Sequence, residues 1–269
     1  MGKRRARKGG RARSLRACAI PLPGGTSARE TGGRALSRIG LAISGGLTAS
    51  EIVDCAERAE ALGYESVWVA EGHGGDQFAI LAACALRTRR VRLGTAITSV
   101  YVRTAPTIAM AAAAVDELSG GRFVLGLGSS HRVQVGPEHG VEYSRPLGRV
   151  RDTTAVVRAL LRDGEVSHEG ETVRIERFDL WFKPFRGDIP IYISALFPKM
   201  LELCGEVADG LILTRSTLAT AGRARTHIAA GAARAGRDPA AVEISSLLPA
   251  SVSADRSEAL AAARPGLAF

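Results

Sequence analysis

Several devices that would settle the chemistry at once are missing from this 269-residue chain. Its four cysteines, Cys18, Cys55, Cys84 and Cys204, form no C-x-x-C pair, so neither a zinc ribbon nor a dithiol redox motif is present. The five histidines show no H-x-x-x-H spacing, which removes the common helical metal-ligand pattern. There is no Walker A loop and no G-x-S-x-G elbow, so nucleoside-triphosphatase and α/β-hydrolase readings lack their signatures. No apolar run approaches the ~20 residues of a membrane span, and the N-terminus has no apolar core of a secretory signal. These features give the cytoplasm as the expected compartment. Aromatic residues are only 5% of the chain.

Basic charge is abundant but local. The net charge is +9, while residues 1–40 alone hold eleven basic side chains against one acid, Glu30, so the rest of the chain is close to neutral. Residues 1–37 have no hydrophobic period and are expected to be a disordered tail, with residues 38–269 as one domain. A functionless extension is the leading reading of the tail, and a phosphate-binding arm or a targeting peptide compete with it. No aromatic interleaves its arginines, so base stacking is unsupported and no nucleic-acid partner is expected.

From Ile39 the chain alternates short apolar runs with helical patterns. Strands are predicted at Ile39–Ile43, Ser66–Val69, Val91–Ile97, Phe123–Leu127, Ile189–Ser194, Leu211–Thr214 and Val242–Leu248. Helices are predicted between them. Thr48 and Glu51 form a capping box, Asp76 is an N-cap, and Gly63 stands where a C′ glycine belongs. Val166–Ile175 reads as a hairpin around Glu169-Gly170. Strands that alternate with helices imply a parallel sheet, either doubly wound or closed as a (β/α)₈ TIM barrel. Seven units without a midpoint break favour the barrel. A Rossmann glycine fingerprint is lacking, because Gly126-Leu-Gly128 follows the fourth strand and has no third glycine. Only about seven βα units are visible before Phe269, so the barrel reads as truncated at its C-terminus.

Parallel barrels carry their sites at the C-terminal strand ends. That rule selects Glu71 and His73 after strand two, Ala96, Ile97 and Thr98 at the end of strand three, Gly128, Ser129, Ser130 and His131 after strand four, and Ser194 and Ala195 after strand five. Small and hydroxyl residues there permit the close approach of a large planar ring, although ordinary loop chemistry also uses them. Glu71 is a candidate ring N–H acceptor or proton relay, and His131 a candidate general acid. His73 is a weaker candidate. Each is also a common exposed loop residue. His139, His168 and His227 read as surface residues. Cys55 and Cys84 read as small core residues.

The same segments carry a family resemblance. Gly63-Tyr-Glu-Ser-Val-Trp-Val-Ala-Glu71, Leu93-Gly-Thr-Ala-Ile-Thr98 with Arg103-Thr-Ala-Pro106, and above all Asp116-Glu-Leu-Ser-Gly-Gly-Arg-Phe-Val-Leu-Gly-Leu-Gly128 are similar to signatures of the bacterial luciferase-like oxidoreductases, especially the coenzyme F420 branch. Ile189-Pro-Ile-Tyr-Ile193 and Ala208-Asp-Gly210 match two later segments. The resemblance implies a TIM barrel, usually a homodimer, with a deazaflavin or flavin at the strand ends. It implies cofactor contacts at Glu71, Ala96, Ile97, Ser129, Ser130, His131, Ser194 and Ala195. It also implies a non-prolyl cis peptide at Ala96–Ile97. Some members place a catalytic histidine directly after the strand-two acid, where this chain has Gly72. The activity implied is hydride transfer between F420 and a small organic substrate, of the methylenetetrahydromethanopterin-reductase kind. An FMN-dependent monooxygenase acting on paired donors with molecular oxygen is the alternative, and a truncated inactive remnant is the third reading.

Overall fold

The structure is a computed structural model and describes residues 38–267. The arginine-rich segment discussed above lies outside the described residues.

Seven parallel strands form a nearly closed barrel in the order β1 (Gly40–Ile43), β2 (Ser66–Val69), β3 (Arg92–Thr95), β5 (Phe123–Gly128), β8 (Ile191–Ser194), β9 (Gly210–Thr214) and β10 (Glu243–Leu247). The short β4 (Thr98–Ser99) pairs with β5 beyond the end of β3. Helices α1 (Ala49–Ala61), α2 (Gln77–Arg87), α3 (Ala105–Ser119), α5 (Pro146–Asp163), α6 (Pro198–Val207) and α7 (Leu218–Arg234) return the chain between strands, and α8 (Arg256–Leu267) follows β10. The predicted strands and helices are all present. Two features differ from expectation. The third strand breaks at Ala96–Ile97, and an additional helix, α4 (Arg132–His139), stands at the mouth after β5. The hairpin is β6 (Glu165–Glu169) with β7 (Arg174–Asp179). It packs on α5, where Asp152 accepts from the Thr172 and Val173 N–H groups. His168, expected at the surface, is half-buried there, 3.5 Å from Asp152.

Local chemistry explains the boundaries. Thr48 and Glu51 make the reciprocal capping box that starts α1. Gly63 takes φ +81° just after that helix, a conformation open to glycine at no steric cost. The strands are buried on both faces, so two apolar layers form. The outer one holds Val67, Leu93, Phe123, Leu125, Ile191 and Leu211 under the helices. The inner one fills the barrel with Trp68, Ala96, Val124, Tyr192 and Ile212. Cys84 and Cys204 are wholly buried, and burial pushes their thiols up to about 11 and about 12, which keeps them protonated and inert.

The long motif at residues 116–128 turns out to be architectural. Asp116, buried at the end of α3, accepts a bidentate pair from Arg186, which also donates to Phe123 O at 2.7 Å. Gly120 and Gly121 both hold positive φ in the turn. Arg122 spreads its guanidinium over the end of α2, donating to Ala85 O, Thr88 O, Thr88 Oγ1 and Val91 O, while its Nε donates to Ser119 O. At the N-terminal end of the barrel Arg38 pairs with Glu65 and with Glu243, and so joins β10 to the start of β2.

Candidate active site at the C-terminal strand ends

Parallel register brings the selected residues to one end of neighbouring strands. Val69 stands opposite Thr95, Thr98 opposite Leu127, and Leu127 opposite Ile193. Glu71, Ala96, Ser129 and Ser194 therefore follow four adjacent strands at the same end. Ala96 belongs to the inner layer, with Ala70, Ile97 and Leu247 packed against that layer. Close approach is built in. A Cβ at Gly128 would sit 2.9 Å from Ile97 Cδ1, and one at Gly126 would collide with Thr95 O and touch Ile212. These strand ends thus bring apolar groups into close contact, with Ser129 and Ser194 half-buried beside them.

The Ala96–Ile97 bond is trans, against expectation, since there is no cis peptide among the described residues. Ile97 instead takes φ +157° at the break in the strand.

Glu71 has a different surrounding from the one its position suggested. Its Oε1 accepts from Arg103 Nε at 2.5 Å and its Oε2 from the Ser99 N–H at 2.8 Å. Arg103 also pairs with Asp76 and lies over the Phe78 ring at 5.1 Å. Burial works against the charged form of Asp76, but Arg103 and the N–H groups of Ala79 and Phe78 outweigh it and hold that carboxyl below its usual range. Both oxygens of Glu71 are engaged within the protein, and it shares the single Arg103 charge with Asp76. The sequence signal for this was present but silent: Arg103 sits in the R-x-A-P segment, and nothing in one-dimensional spacing says that it meets an acid 32 positions earlier.

His131 is exposed at the N-cap position of α4, and its ring makes no capping hydrogen bond. His73 is exposed and paired with Glu138 of α4 at 3.0 Å. Ser130 adopts φ +54°, turning the chain from β5 into α4. Tyr143, which sequence reasoning missed, donates from its hydroxyl to Ser129 Oγ at 3.3 Å. It stacks on Tyr101 at 4.7 Å, and Arg132 and Arg149 lie over the two rings. Burial pushes the Tyr101 hydroxyl up to about 12, so it remains a donor, to Ser144 O at 2.6 Å. This aromatic wall orders the connection between α4 and α5 beside Ser129.

A large planar, uncharged ring suits these surroundings. The strand ends there are apolar and leave room only for glycine at their closest points, the Glu71 carboxylate is engaged by Arg103 and the Ser99 N–H, and Ser129 and Ser194 stand half-buried nearby.

A family model described as luciferase-like monooxygenase matches residues 30–269. The 5,10-methylenetetrahydromethanopterin reductase of Methanolobus tindarius is 34% identical over 220 residues, which are 81% of this chain and 67% of that protein. The structure of the coenzyme F420 dependent tetrahydromethanopterin reductase of Methanopyrus kandleri superposes with a TM-score of 0.77 at 25% identity, covering 83% of this chain and 69% of that one. An F420-dependent secondary alcohol dehydrogenase, solved with an F420-acetone adduct, gives a TM-score of 0.79 at 26% identity over 86% of this chain and 75% of that one. The chain spans about two thirds of the length of the curated reductase it matches.

Proposed function

This chain belongs to the luciferase-like monooxygenase family, and from that premise we propose that it is an F420-dependent oxidoreductase moving a hydride between the deazaflavin and a small organic substrate. The observation that carries the reading is the gathering of Ala96, Ile97, Gly128, Ser129 and Ser194 at one end of adjacent strands, together with solved relatives named as F420 enzymes. The deazaflavin supplies hydride chemistry when bound. The protein's own residues do the rest. Ala96 and Ile97 would lie under the ring, with Thr98, predicted as a contact but wholly buried, backing them. Gly128 leaves room for close approach, and Ser129, Ser130, Ser194 and Ala195 provide rim contacts. Glu71 is assigned to positioning, because its oxygens are taken by Arg103 and Ser99. His131, exposed at the mouth, is assigned any proton that must be delivered or taken up beside the hydride transfer. His73 is held by Glu138 and ranks behind it. The proposal includes a homodimer working in the cytoplasm on a small-molecule substrate, without a nucleic-acid partner.

Equilibrium titration of the full chain with F420 and with FMN, followed by fluorescence, tests the cofactor. Saturable F420 binding that exceeds FMN binding is the expected result. Tight FMN binding with none for F420 would transfer the chain to the flavin monooxygenases of the same family.

A further inference from the structure

The strand that leads to Ala96 and Ile97 is broken. β3 pairs with β5 through Leu93 and Gly94, and pairing with β5 resumes only at Thr98. A broken ladder leaves buried backbone groups in need of other partners. Ala96 N donates to Val69 O at 2.8 Å, and beyond that point side chains take over.

Gln77, the first residue of α2, is wholly buried. Two carbonyls and a hydroxyl surround its amide, which fixes the way it faces. Nε2 donates to Ile97 O at 3.3 Å and to Val69 O at 3.2 Å, while Oε1 accepts from Thr98 Oγ1 at 3.0 Å. Glu71 then takes the Ser99 N–H, with Arg103 behind it. The neighbours of Gln77 along α2, Phe78, Ile80 and Leu81, are buried and apolar. A leucine at 77 would serve the core equally well in volume. The amide's partners are two groups in the broken stretch and one carbonyl on the adjoining strand end, so its distinctive contribution is to the shape of that stretch.

We infer that Gln77 is the positioning residue that holds the Ala96–Ile97 floor in its cofactor-ready form. This deepens the F420 reading and rests on it for the identity of the ring. Gln77 acts through Ile97 and Thr98 and touches neither cofactor nor substrate. A floor fixed before binding costs the cofactor nothing to order, whereas a loose one must be ordered by the cofactor itself.

The test compares full-length wild type with Gln77→Leu by two readouts. One is hydrogen exchange, by mass spectrometry, of peptides covering residues 96–99 in cofactor-free protein. The other is the F420 dissociation constant by fluorescence titration. Loss of the three hydrogen bonds is expected to speed exchange and to weaken F420 binding, each by about tenfold or more. Val115→Ala, a buried truncation in α3, provides a control of lowered stability and should change neither readout. If the leucine variant does not fold, Gln77→Met, which keeps the length and has no N–H donor, is expected to shift both readouts in the same direction. Wild-type exchange at 96–99 or wild-type F420 affinity in a folded Gln77 variant would overturn the inference. If wild type binds neither F420 nor FMN, the cofactor reading fails, and the exchange comparison alone then decides the role of Gln77: acceleration supports it and no change refutes it.

Discussion

Replacing Arg122 with alanine is expected to destabilise the protein by about 2–4 kcal/mol, read as a fall in thermal midpoint of about 5–15 °C. The guanidinium reaches carbonyls from three separate segments, at Ala85 and Thr88, at Val91, and at Ser119. Removing it leaves part-buried carbonyls without their charged donor, and water recovers only some of the loss. Arg122→Lys keeps the charge but not the planar fork, so it is expected to recover less than half of the midpoint. Circular dichroism melts of the two variants check this. A midpoint within 2 °C of wild type for the alanine variant would show that the motif's arginine does something other than hold the fold.

The second large effect is expected at Gly126. Alanine there is expected to give insoluble protein, or a midpoint below that of the Arg122 variant. The new Cβ would collide with Thr95 O, a backbone atom that cannot swing aside, and would touch Ile212 Cδ1 at 3.0 Å. Thr95 Oγ1 also donates to Gly126 O at 2.9 Å and accepts from its N–H at 2.8 Å, so β3 and β5 cannot separate without breaking both bonds. Overpacking of this kind exceeds the usual cost of about 1–3 kcal/mol when backbone rather than a side chain must move. The same change at Gly222, in α7 with no atom within 4 Å of the added carbon, is expected to be neutral or to stabilise by about 0.5–1 kcal/mol. Soluble yield and melting midpoint of the two alanine variants provide the comparison.

Both predictions concern parts of the sequence whose outline, though not whose purpose, could be read beforehand. Local signals were legible because they act within a few residues: the Thr48–Glu51 capping box, the Asp76 N-cap and Gly63 are all found as expected. Parallel order was legible from the alternation of elements, and it placed Ala96, Ser129 and Ser194 at one end. Three things were not. Val91–Ile97 reads as an unbroken apolar strand, since hydrophobic pattern does not register a break whose hydrogen bonds are supplied by Gln77 and Glu71. Helix α4 contains Gly136 and Pro137, residues that argue against a helix, and its register depends on packing at Val135. Long-range ion pairs leave no local trace: Asp116 meets Arg186 seventy positions away, and Glu71 meets Arg103. Glu71, selected from its place after strand two as a ring N–H acceptor or proton relay, is found bonded to Arg103 and to the Ser99 N–H, partners its place in the sequence did not announce.

The central claim is that one hollow at the strand ends receives a single ring. It is tested most directly by the hydrogen-exchange footprint of F420 on the wild-type protein. Added F420 is expected to slow exchange together in peptides covering residues 71–73, 96–99, 129–132 and 194–196, and to leave the Arg122 turn unchanged. Protection confined to one of these segments, or found only on the outer helices, would contradict it.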